Sequence, residues 1–302
     1  MTEPRFCYIV LCHTRADAVA RLVRRIQEQS PEAGILVRFG TEATFDPTPL
    51  EATGATLLPS DIHTRWGDWS LVDAELECYA RASQAFDADY YVVISGQDYP
   101  VVDLAAWERE ITARRPGAML AASDPHPVTI DVSWRIVDGP ALPTVVRRIA
   151  IAVAWRITLL ARGRFHVGES PRRNDHRWWI GHARRGERRE VHKASQWKVL
   201  SRSAVEVLRR RYHEHPDERA FVASCKVPDE LYVATALHAD GTVAIVDWPT
   251  SHSHFTEGSS SPEWLTPDLI QEAVSSGAPF ARKLHPDAEG EVLAALETAS
   301  RG

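Results

Sequence analysis

Two acidic residues stand where a carboxylate could act on a substrate. Asp98 follows the apolar run YYVVIS within the segment SGQDYP, and Glu230 lies in the segment VPDEL. A carboxylate just past a strand can hydrogen-bond a sugar or a base, with Gly96 permitting a close backbone approach, and one at a helix start can serve as a general base. Each also has a structural interpretation: Asp98 as the cap of a turn before Pro100, and Glu230 as a charge that the helix dipole favours.

Two adjacent cations, Arg282 and Lys283, follow the apolar residue Phe280 in the segment FARKL. Fixed cations can neutralise a leaving diphosphate without a metal ion. Neighbouring side chains point in different directions in regular structure, so one cation could bind phosphate while the other meets solvent or an acid. The alternative is that both are solvated surface charges.

Signatures of metal and cofactor binding are weak. Asp87 and Asp89 form a D-x-D pattern, but they precede the apolar strand and are expected at its opposite end. His252 and His254 have no third ligand at a recognisable spacing. The sequence contains no G-x-G-x-x-G after its first strand, no Walker-type loop and no G-x-S-x-G. We therefore expect neither a metal nor a cofactor.

Alternating strands and helices must position these residues. Apolar runs predict strands at 6–12, 34–39, 55–59, 90–95 and 117–123, and periodic patterns predict helices at 13–30, 70–86 and 104–115. This alternation predicts an α/β fold with an open, mostly parallel sheet and helices on both faces. Ligands of such sheets bind at the carboxyl ends of the strands, which is where Asp98 falls.

The pattern changes over residues 124–192, which are rich in Pro, Arg and Trp. We predict a helix at 143–164 and few strands. The basic residues of this insertion either pair with acids elsewhere or form a surface for an anionic acceptor or a membrane interface, with Trp178 and Trp179 adding flat faces. Its arginines include Arg172, Arg173, Arg177, Arg184, Arg185, Arg188 and Arg189, against the acids Asp175 and Glu187.

Regular structure returns after the insertion. We predict strands at 195–201 and 242–248 and helices at 202–215, 227–240 and 267–275. A single domain over 1–302 is the simplest organisation. It would have a nucleotide-binding half at about 1–123, the insertion at about 124–192, and an acceptor and catalytic half at about 193–302.

Composition narrows the class of protein. The 302 residues are 44% hydrophobic and 25% charged, as in a globular protein, and the net charge of −6 gives no reason to expect nucleic acid as a partner. Cys7, Cys12, Cys78 and Cys225 form no C-x-x-C pair and are too sparse for a disulfide scaffold, which favours a reducing, cytoplasmic compartment. The first apolar stretch is too short for a signal peptide or a membrane span.

Taken in order, six segments resemble the core-2/I-branching enzyme family, which includes the peptide O-xylosyltransferases. They are FCYIVLCHT, RWGDWSLVDAELECYARA, YYVVISGQDYPV, KASQWKVLSRSAV, VPDELYVATAL and PFARKL, and together they span nearly the whole chain. The resemblance implies a GT-A-like glycosyltransferase fold and an inverting, metal-independent reaction. It also implies a UDP-sugar donor, chiefly UDP-N-acetylglucosamine or UDP-xylose, and an acceptor hydroxyl.

The resemblance also implies roles for individual residues. Glu230 matches the catalytic base, and Lys283 matches the contact to the donor diphosphate, with Arg282 as its neighbour. The SGQD match places Gln97 and Asp98 near the substrate, and we include Trp197 of KASQWKVLS among the predicted substrate contacts.

The sequence departs from the family's pattern at two positions that concern recognition of the nucleotide and its diphosphate. The second strand carries LVRFGTEAT in place of the family's His-x-Asp-like motif, and the segment before FARKL has no Arg, so that His252, His254 or Arg282 would have to substitute. Eukaryotic relatives carry a membrane anchor that this sequence lacks, which suggests a bacterial, cytoplasmic enzyme, with peripheral attachment to the inner membrane face as a further option. The rival hypotheses are a catalytically degenerate nucleotide- or glycan-binding module and a nucleotidyltransferase, which normally needs metal-binding carboxylates.

Overall fold

The computed structural model describes residues 5–13, 15–41, 46–122, 126–139, 143–162, 164–169, 177–184, 188–257, 259 and 261–301. The strands are β1 Phe6–Leu11, β2 Gly34–Gly40, β3 Thr56–Ser60, β4 Tyr90–Ser95, β5 Asp98–Pro100, β6 Ala118–Ala122, β7 Val128–Ile130, β8 Val132–Asp138, β9 Phe165–Glu169, β10 Arg177–Ala183, β11 Arg189–Val191, β12 Ala194–Ser201, β13 Ile245–Val246, β14 Ser251–Ser253 and β15 Phe280–Arg282. The helices are α1 Ala16–Gln29, α2 Thr48–Glu51, α3 Ser70–Ala85, α4 Leu104–Arg114, α5 Thr144–Leu160, α6 Arg202–Glu214, α7 Pro216–Ala223, α8 Tyr232–Asp240, α9 Pro267–Ser276 and α10 Glu291–Ala299, with a 3-10 turn at Pro228–Glu230.

Strand β4 lies in the middle of a seven-stranded sheet with the order β13-β6-β12-β4-β1-β2-β3. Strands β1 to β4 are parallel, β12 is antiparallel to both β4 and β6, and β13 is parallel to β6. Strand β12 is thus the reversed member of a mostly parallel sheet. The α/β fold class predicted from the sequence is confirmed.

Helices cover both faces of this sheet because its strands are apolar on both sides. Tyr8 and Val10 of β1 face a core that includes residues of α1, α4, α9 and α10. Cys7 and Ile9 face a second core, which includes residues of α3, α6, α7 and α8. Continuous apolar runs such as FCYIVL are what a strand with two buried faces requires.

The predicted helix over 227–240 is wrong in its first turn. Val227 has a φ of 53°, in the left-handed region that a β-branched residue rarely adopts, and a regular helix cannot pass through it. The backbone N–H groups of Glu230 and Leu231 bond three residues back and form the 3-10 turn. Helix α8 begins only at Tyr232, so Glu230 precedes that helix rather than lying in its first turn.

Other differences between the predicted and the observed elements arise where the local sequence pattern is weak. The described residues of the insertion form five short strands where few were expected, because its small antiparallel sheets lack the long apolar runs of the central sheet. Helices α7 and α10 were not predicted, and the strand expected at 242–248 is reduced to β13, which pairs only with β6 at the sheet edge.

The insertion builds a three-stranded sheet in the order β8-β10-β9, with β7 and β11 paired separately. The helix expected at 143–164 is present as α5 and packs on β9. The backbone N–H of Trp134 on β8 donates to the carbonyl of Ser224 after α7, which joins the insertion to the central fold. Within the ranges given above, no helix is both long and apolar enough to cross a membrane.

Candidate functional site

The turn after β4 is built around the buried carboxylate of Asp98. The backbone N–H of Ser95 donates to one of its oxygens, and the hydroxyl of Ser251 donates to the other over 2.7 Å. The Asp98 side chain is 0% exposed, so it caps the turn and offers no surface to a sugar in this arrangement. Burial raises the pKa of Asp98, while Arg282 and the two hydrogen bonds oppose that shift.

Arg282 lies opposite Asp98 and links it to strand β12. Strand β15 runs antiparallel to β5 with these two residues in register, and Arg282 Nε is 3.8 Å from Asp98 Oδ1. The guanidinium also lies 4.4 Å from the centre of the Trp197 ring, a cation–π contact. Burial lowers the pKa of Arg282, and the charge of Asp98 opposes this. Three of the predicted site residues thus form one cluster.

Lys283 points away from that cluster. Its Nζ donates to Ser261 Oγ over 2.5 Å and lies 5.7 Å from the centre of the Trp264 ring, and the side chain is partly exposed. The carbonyl of Gln97 accepts from the N–H of Leu284 over 2.8 Å, which ties the SGQD turn to the segment containing Lys283. The two predicted diphosphate contacts therefore diverge, one buried and one reaching toward solvent.

Gly96 serves close packing rather than ligand access. A Cβ atom at this position would lie 2.8 Å from Val19 Cγ2, closer than van der Waals contact allows. The space beside the glycine is therefore filled by helix α1, and the expectation that it leaves room for a ligand is wrong for this arrangement.

Glu230 ends the 3-10 turn and is 34% exposed. Its Oε2 lies 3.1 Å from the Nζ of Lys193, which immediately precedes β12. The backbone of Glu230 is thus held by the 3-10 turn, and its carboxylate forms an ion pair with a lysine that is itself 42% exposed. Such a group is accessible to an approaching hydroxyl.

Glu230 and the Asp98–Arg282 pair lie along the same edge of the central sheet. Because β12 runs antiparallel to its neighbours, its first residue pairs with Ala122 at the carboxyl end of β6. Lys193, which holds Glu230, therefore stands at the carboxyl edge, and Trp197, which holds Arg282, follows shortly after it on β12. This is the edge at which ligands of open α/β sheets bind.

A buried ion pair and a further carboxylate lie behind Glu230, and neither was predicted from the sequence. Lys198 Nζ donates to both carboxylate oxygens of Glu75 over 2.9 Å, and each side chain is 1% exposed. Asp229, 5% exposed, lies near this pair, and its Oδ1 has no hydrogen-bond partner within the described residues. Burial raises the pKa of Asp229 to about 7, with the charge of Glu230 acting in the same direction. The lysine within the predicted strand SQWKVLS was the one sequence feature that could have indicated this buried pair.

The D-x-D acids lie at the amino end of β4, as predicted. Asp87 pairs with Arg5 and Arg202, and Asp89 accepts from the backbone N–H of Arg5 and lies 3.4 Å from Arg202. A depression of about 450 Å³ at this end is lined in part by Asp87, Arg202 and Arg209. Its ion pairs are largely exposed and bring together no buried, unpartnered group, so we assign the candidate site to the other edge.

Possible metal ligands do not gather in the described part of the chain. No group of three His, Cys, Asp or Glu side chains is arranged there to hold an ion. His252 and His254 each lie within 3.3 Å of Glu272 instead. Metal independence remains a prediction.

Arg38, the residue that departs from the family pattern on β2, is structural. It is 4% exposed and donates to Ser60 Oγ over 3.0 Å and to the carbonyl of Ile62 over 2.6 Å. Its Nε lies 3.6 Å from Glu77. This guanidinium therefore supports β3 and α3 and has little surface to offer a nucleotide.

The insertion meets the central fold through aromatic residues. Trp179 is 3% exposed and packs edge-on against Trp66 and Trp134, and Lys226 Nζ lies 3.7 Å from the Trp134 ring centre. Arg184 is half-buried, and its guanidinium stacks on Phe221 of α7. Among the predicted basic-patch residues, Arg172, Arg173, Asp175, Arg185 and Glu187 lie outside the described residues.

No protein-family model matches the chain, and no curated protein matches its sequence. A protein assigned as a glucose-1-phosphate thymidylyltransferase from Bacillus anthracis, solved with sucrose, is 11% identical over 80% of this chain and 86% of its own, with a TM-score of 0.39. A 4-diphosphocytidyl-2C-methyl-D-erythritol synthase is 10% identical over 81% and 88%, with a TM-score of 0.37. HddC from Yersinia pseudotuberculosis is 11% identical over 66% and 78%, with a TM-score of 0.30. Similarities this remote carry no argument about what the present chain does.

Proposed function

We propose that the chain is an inverting, metal-independent glycosyltransferase of GT-A-like fold and a member of the core-2/I-branching family. It would transfer a sugar, N-acetylglucosamine or xylose, from a UDP-sugar to an acceptor hydroxyl. The observation that supports this is the position of Glu230 and of the Asp98–Arg282 pair. Segments far apart in sequence bring a partly exposed carboxylate and a fixed cation to the carboxyl edge of one sheet, where Lys193 and Trp197, at the start of β12, contact them.

In this proposal Glu230 removes the proton from the acceptor hydroxyl as its oxygen attacks the anomeric carbon. A new glycosidic bond forms, and the bond from that carbon to the diphosphate oxygen breaks, with inversion. UDP leaves with the bonding electron pair. Positioned base catalysis contributes roughly 10²–10⁴-fold.

Lys283 is the cation proposed to meet the leaving diphosphate, since it is the more exposed of the two cations' side chains and lies outside the buried cluster. Arg282 is proposed as its support. Because Arg282 is fixed between Asp98 and Trp197, it holds the end of β15 and so sets the position from which Lys283 extends. The proposal thus gives Asp98 and Trp197 positioning roles, with Gln97 bracing the same segment.

The second candidate function is a nucleotide- or glycan-binding module of the same fold without turnover. Two observations favour it. The guanidinium of Arg38 is occupied by structural hydrogen bonds, and the carboxylate of Glu230 already forms an ion pair with Lys193. A cytoplasmic location, expected from the few cysteines and the lack of a C-x-x-C pair, is part of both candidates.

A panel of UDP-, GDP- and dTDP-sugars, with and without EDTA, tests the proposal by thermal shift and by product analysis. A donor at a hundred times its Kd should stabilise the fold by about 2.7 kcal/mol. Glu230→Gln should bind the donor normally but lose turnover by about 10²-fold or more. Glu51→Gln, an exposed change on α2, is the matched control.

Each alternative outcome has a distinct meaning. Donor binding with no product in either protein supports the binding module. Activity that EDTA abolishes and manganese restores contradicts metal independence. Turnover near the wild-type rate in Glu230→Gln removes Glu230 as the base.

A further inference from the structure

Helix α5 of the insertion turns its large apolar side chains toward solvent. Nine of them are exposed, including Leu160 at 83%, Val145 at 71% and Trp155 at 63%. Monomeric proteins rarely expose contiguous apolar surface on this scale, and such surface marks an interaction site.

The inward face of α5 is made mostly of small residues. Ala150, Ala154 and Thr158 are spaced four apart and, with Arg147, are its less exposed positions. The Thr158 hydroxyl accepts from the N–H of Val167 on β9 over 3.0 Å. A helix that evolved to face water would pack its large residues inward and display its polar ones. Here the arrangement is reversed, so the outward face is built to contact something apolar.

The charged residues of the segment that contains this helix have one sign. Residues 140–168 contain five arginines, Arg147, Arg148, Arg156, Arg162 and Arg164, and no Asp or Glu. The exposed Arg148 and Arg156 lie among the exposed apolar residues of the helix itself.

We propose that α5 docks the protein on an anionic lipid bilayer, lying in the interface with its apolar face among the acyl chains. Arginine side chains are long enough to extend from such a face to the lipid phosphates, and each cation near an anionic surface adds to binding. A wide apolar face that carries cations and no acid favours an anionic membrane surface. This inference is independent of the proposed transferase activity.

The arginines argue against a second copy of the chain as the occupant of this face. A symmetric contact through α5 would bring Arg148 and Arg156 toward the same residues of the other copy. Residues 140–168 supply no acid to pair with them. Like charges in a desolvated contact are unfavourable, whereas lipid phosphates supply the missing anions.

The test is flotation of the full-length protein with vesicles of phosphatidylcholine alone and of phosphatidylcholine with about one third phosphatidylglycerol. Wild-type protein should bind the anionic vesicles at least tenfold better. Ile149→Ser/Trp155→Ser/Leu160→Ser should lose binding to both by tenfold or more, and Arg148→Gln/Arg156→Gln should lose most of the preference for anionic vesicles. Phe255→Ser/Val274→Ser removes exposed apolar residues outside the insertion and is the matched control.

All four proteins should melt at similar temperatures, because every substituted side chain is exposed. Failure of the wild-type protein to bind anionic vesicles would overturn the proposal, as would equal binding to both vesicle types. A dimer in light scattering that the triple Ser variant converts to a monomer would also overturn it, by identifying α5 as a contact between two copies.

Discussion

The two ends of strand β4 use the same kinds of charged residue in opposite ways. At the amino end, Asp87 pairs with Arg5 and Arg202, and these side chains are 45–59% exposed. At the carboxyl end, the Asp98–Arg282 pair is nearly buried, and the Glu75–Lys198 pair in the core behind Glu230 is 1% exposed. Exposed pairs add little to stability, about 0–1 kcal/mol, whereas buried charges carry a desolvation penalty that only good geometry offsets.

The comparison shows at which end of β4 the charged side chains are held in fixed positions. At the amino end solvent screens the ions, and their geometry matters little. At the carboxyl end the neighbours hold each ion in one position, which is what a site that must stabilise developing charge requires. The two ends therefore predict different responses to removal of a single charge.

The largest effect is expected for the buried pair. Lys198→Met leaves the Glu75 carboxylate in the core without its cation, and we expect the free energy of unfolding in urea to fall by about 3–5 kcal/mol. The double variant Glu75→Gln/Lys198→Met removes both charges and keeps an acceptor for the hydroxyl of Tyr79, so it should recover part of that loss. A single variant as stable as wild type would mean that the pair is unimportant.

A pH-dependent effect is expected from Asp229. Its pKa is about 7 in the folded protein against an ordinary 3.8, so between those values the folded state keeps a proton that the unfolded state has lost. Wild-type stability should therefore fall as the pH rises through this window, by up to about 4 kcal/mol from this group.

Asp229→Asn should remove that dependence and be the more stable protein at about pH 8, with little difference at about pH 4. Urea unfolding at a series of pH values measures this directly. Asp89→Asn, which removes a carboxylate at the exposed end, is the matched control. Parallel profiles for wild type and Asp229→Asn would contradict the raised pKa.

A smaller effect is expected at the turn after β4. Asp98→Asn keeps an acceptor for Ser95 or Ser251 but removes the charge opposite Arg282, and we expect a loss of about 1–3 kcal/mol in unfolding free energy. If Arg282 supports Lys283 as proposed, affinity for the nucleotide sugar should fall as well. Unchanged stability and affinity together would show that the carboxylate charge has no role.

The smallest effect is expected at the amino end. Arg202→Gln removes exposed ion pairs with Asp87 and Asp89, and the unfolding free energy should change by less than about 1 kcal/mol. Any loss of unfolding free energy should be smaller still in high salt, because salt screens exposed charges. A loss comparable to that of Lys198→Met would break the distinction between the two ends.

Much of the architecture follows from local sequence. Runs such as YYVVIS are apolar on both faces, so they can be stable only as central strands, and the helix at 70–86 matches α3 within a residue. The position of Asp98 past the end of β4 and of Asp87 before its start follows from the same pattern. Segments without such runs, the insertion strands and β13 among them, were missed or misjudged because their pairing partners are not local.

By itself, the sequence determined the central strands and the helices that alternate with them, the candidate residues and the edge at which Asp98 lies. Only the tertiary structure decided what those residues do there: that Asp98 is buried against Arg282, that Lys193 holds Glu230, and that Lys198 enters the core to meet Glu75. The reason is physical. Periodicity reports which face of an element is apolar, whereas the burial and pairing of a charge depend on side chains brought together from distant segments, and these set its desolvation and its pKa.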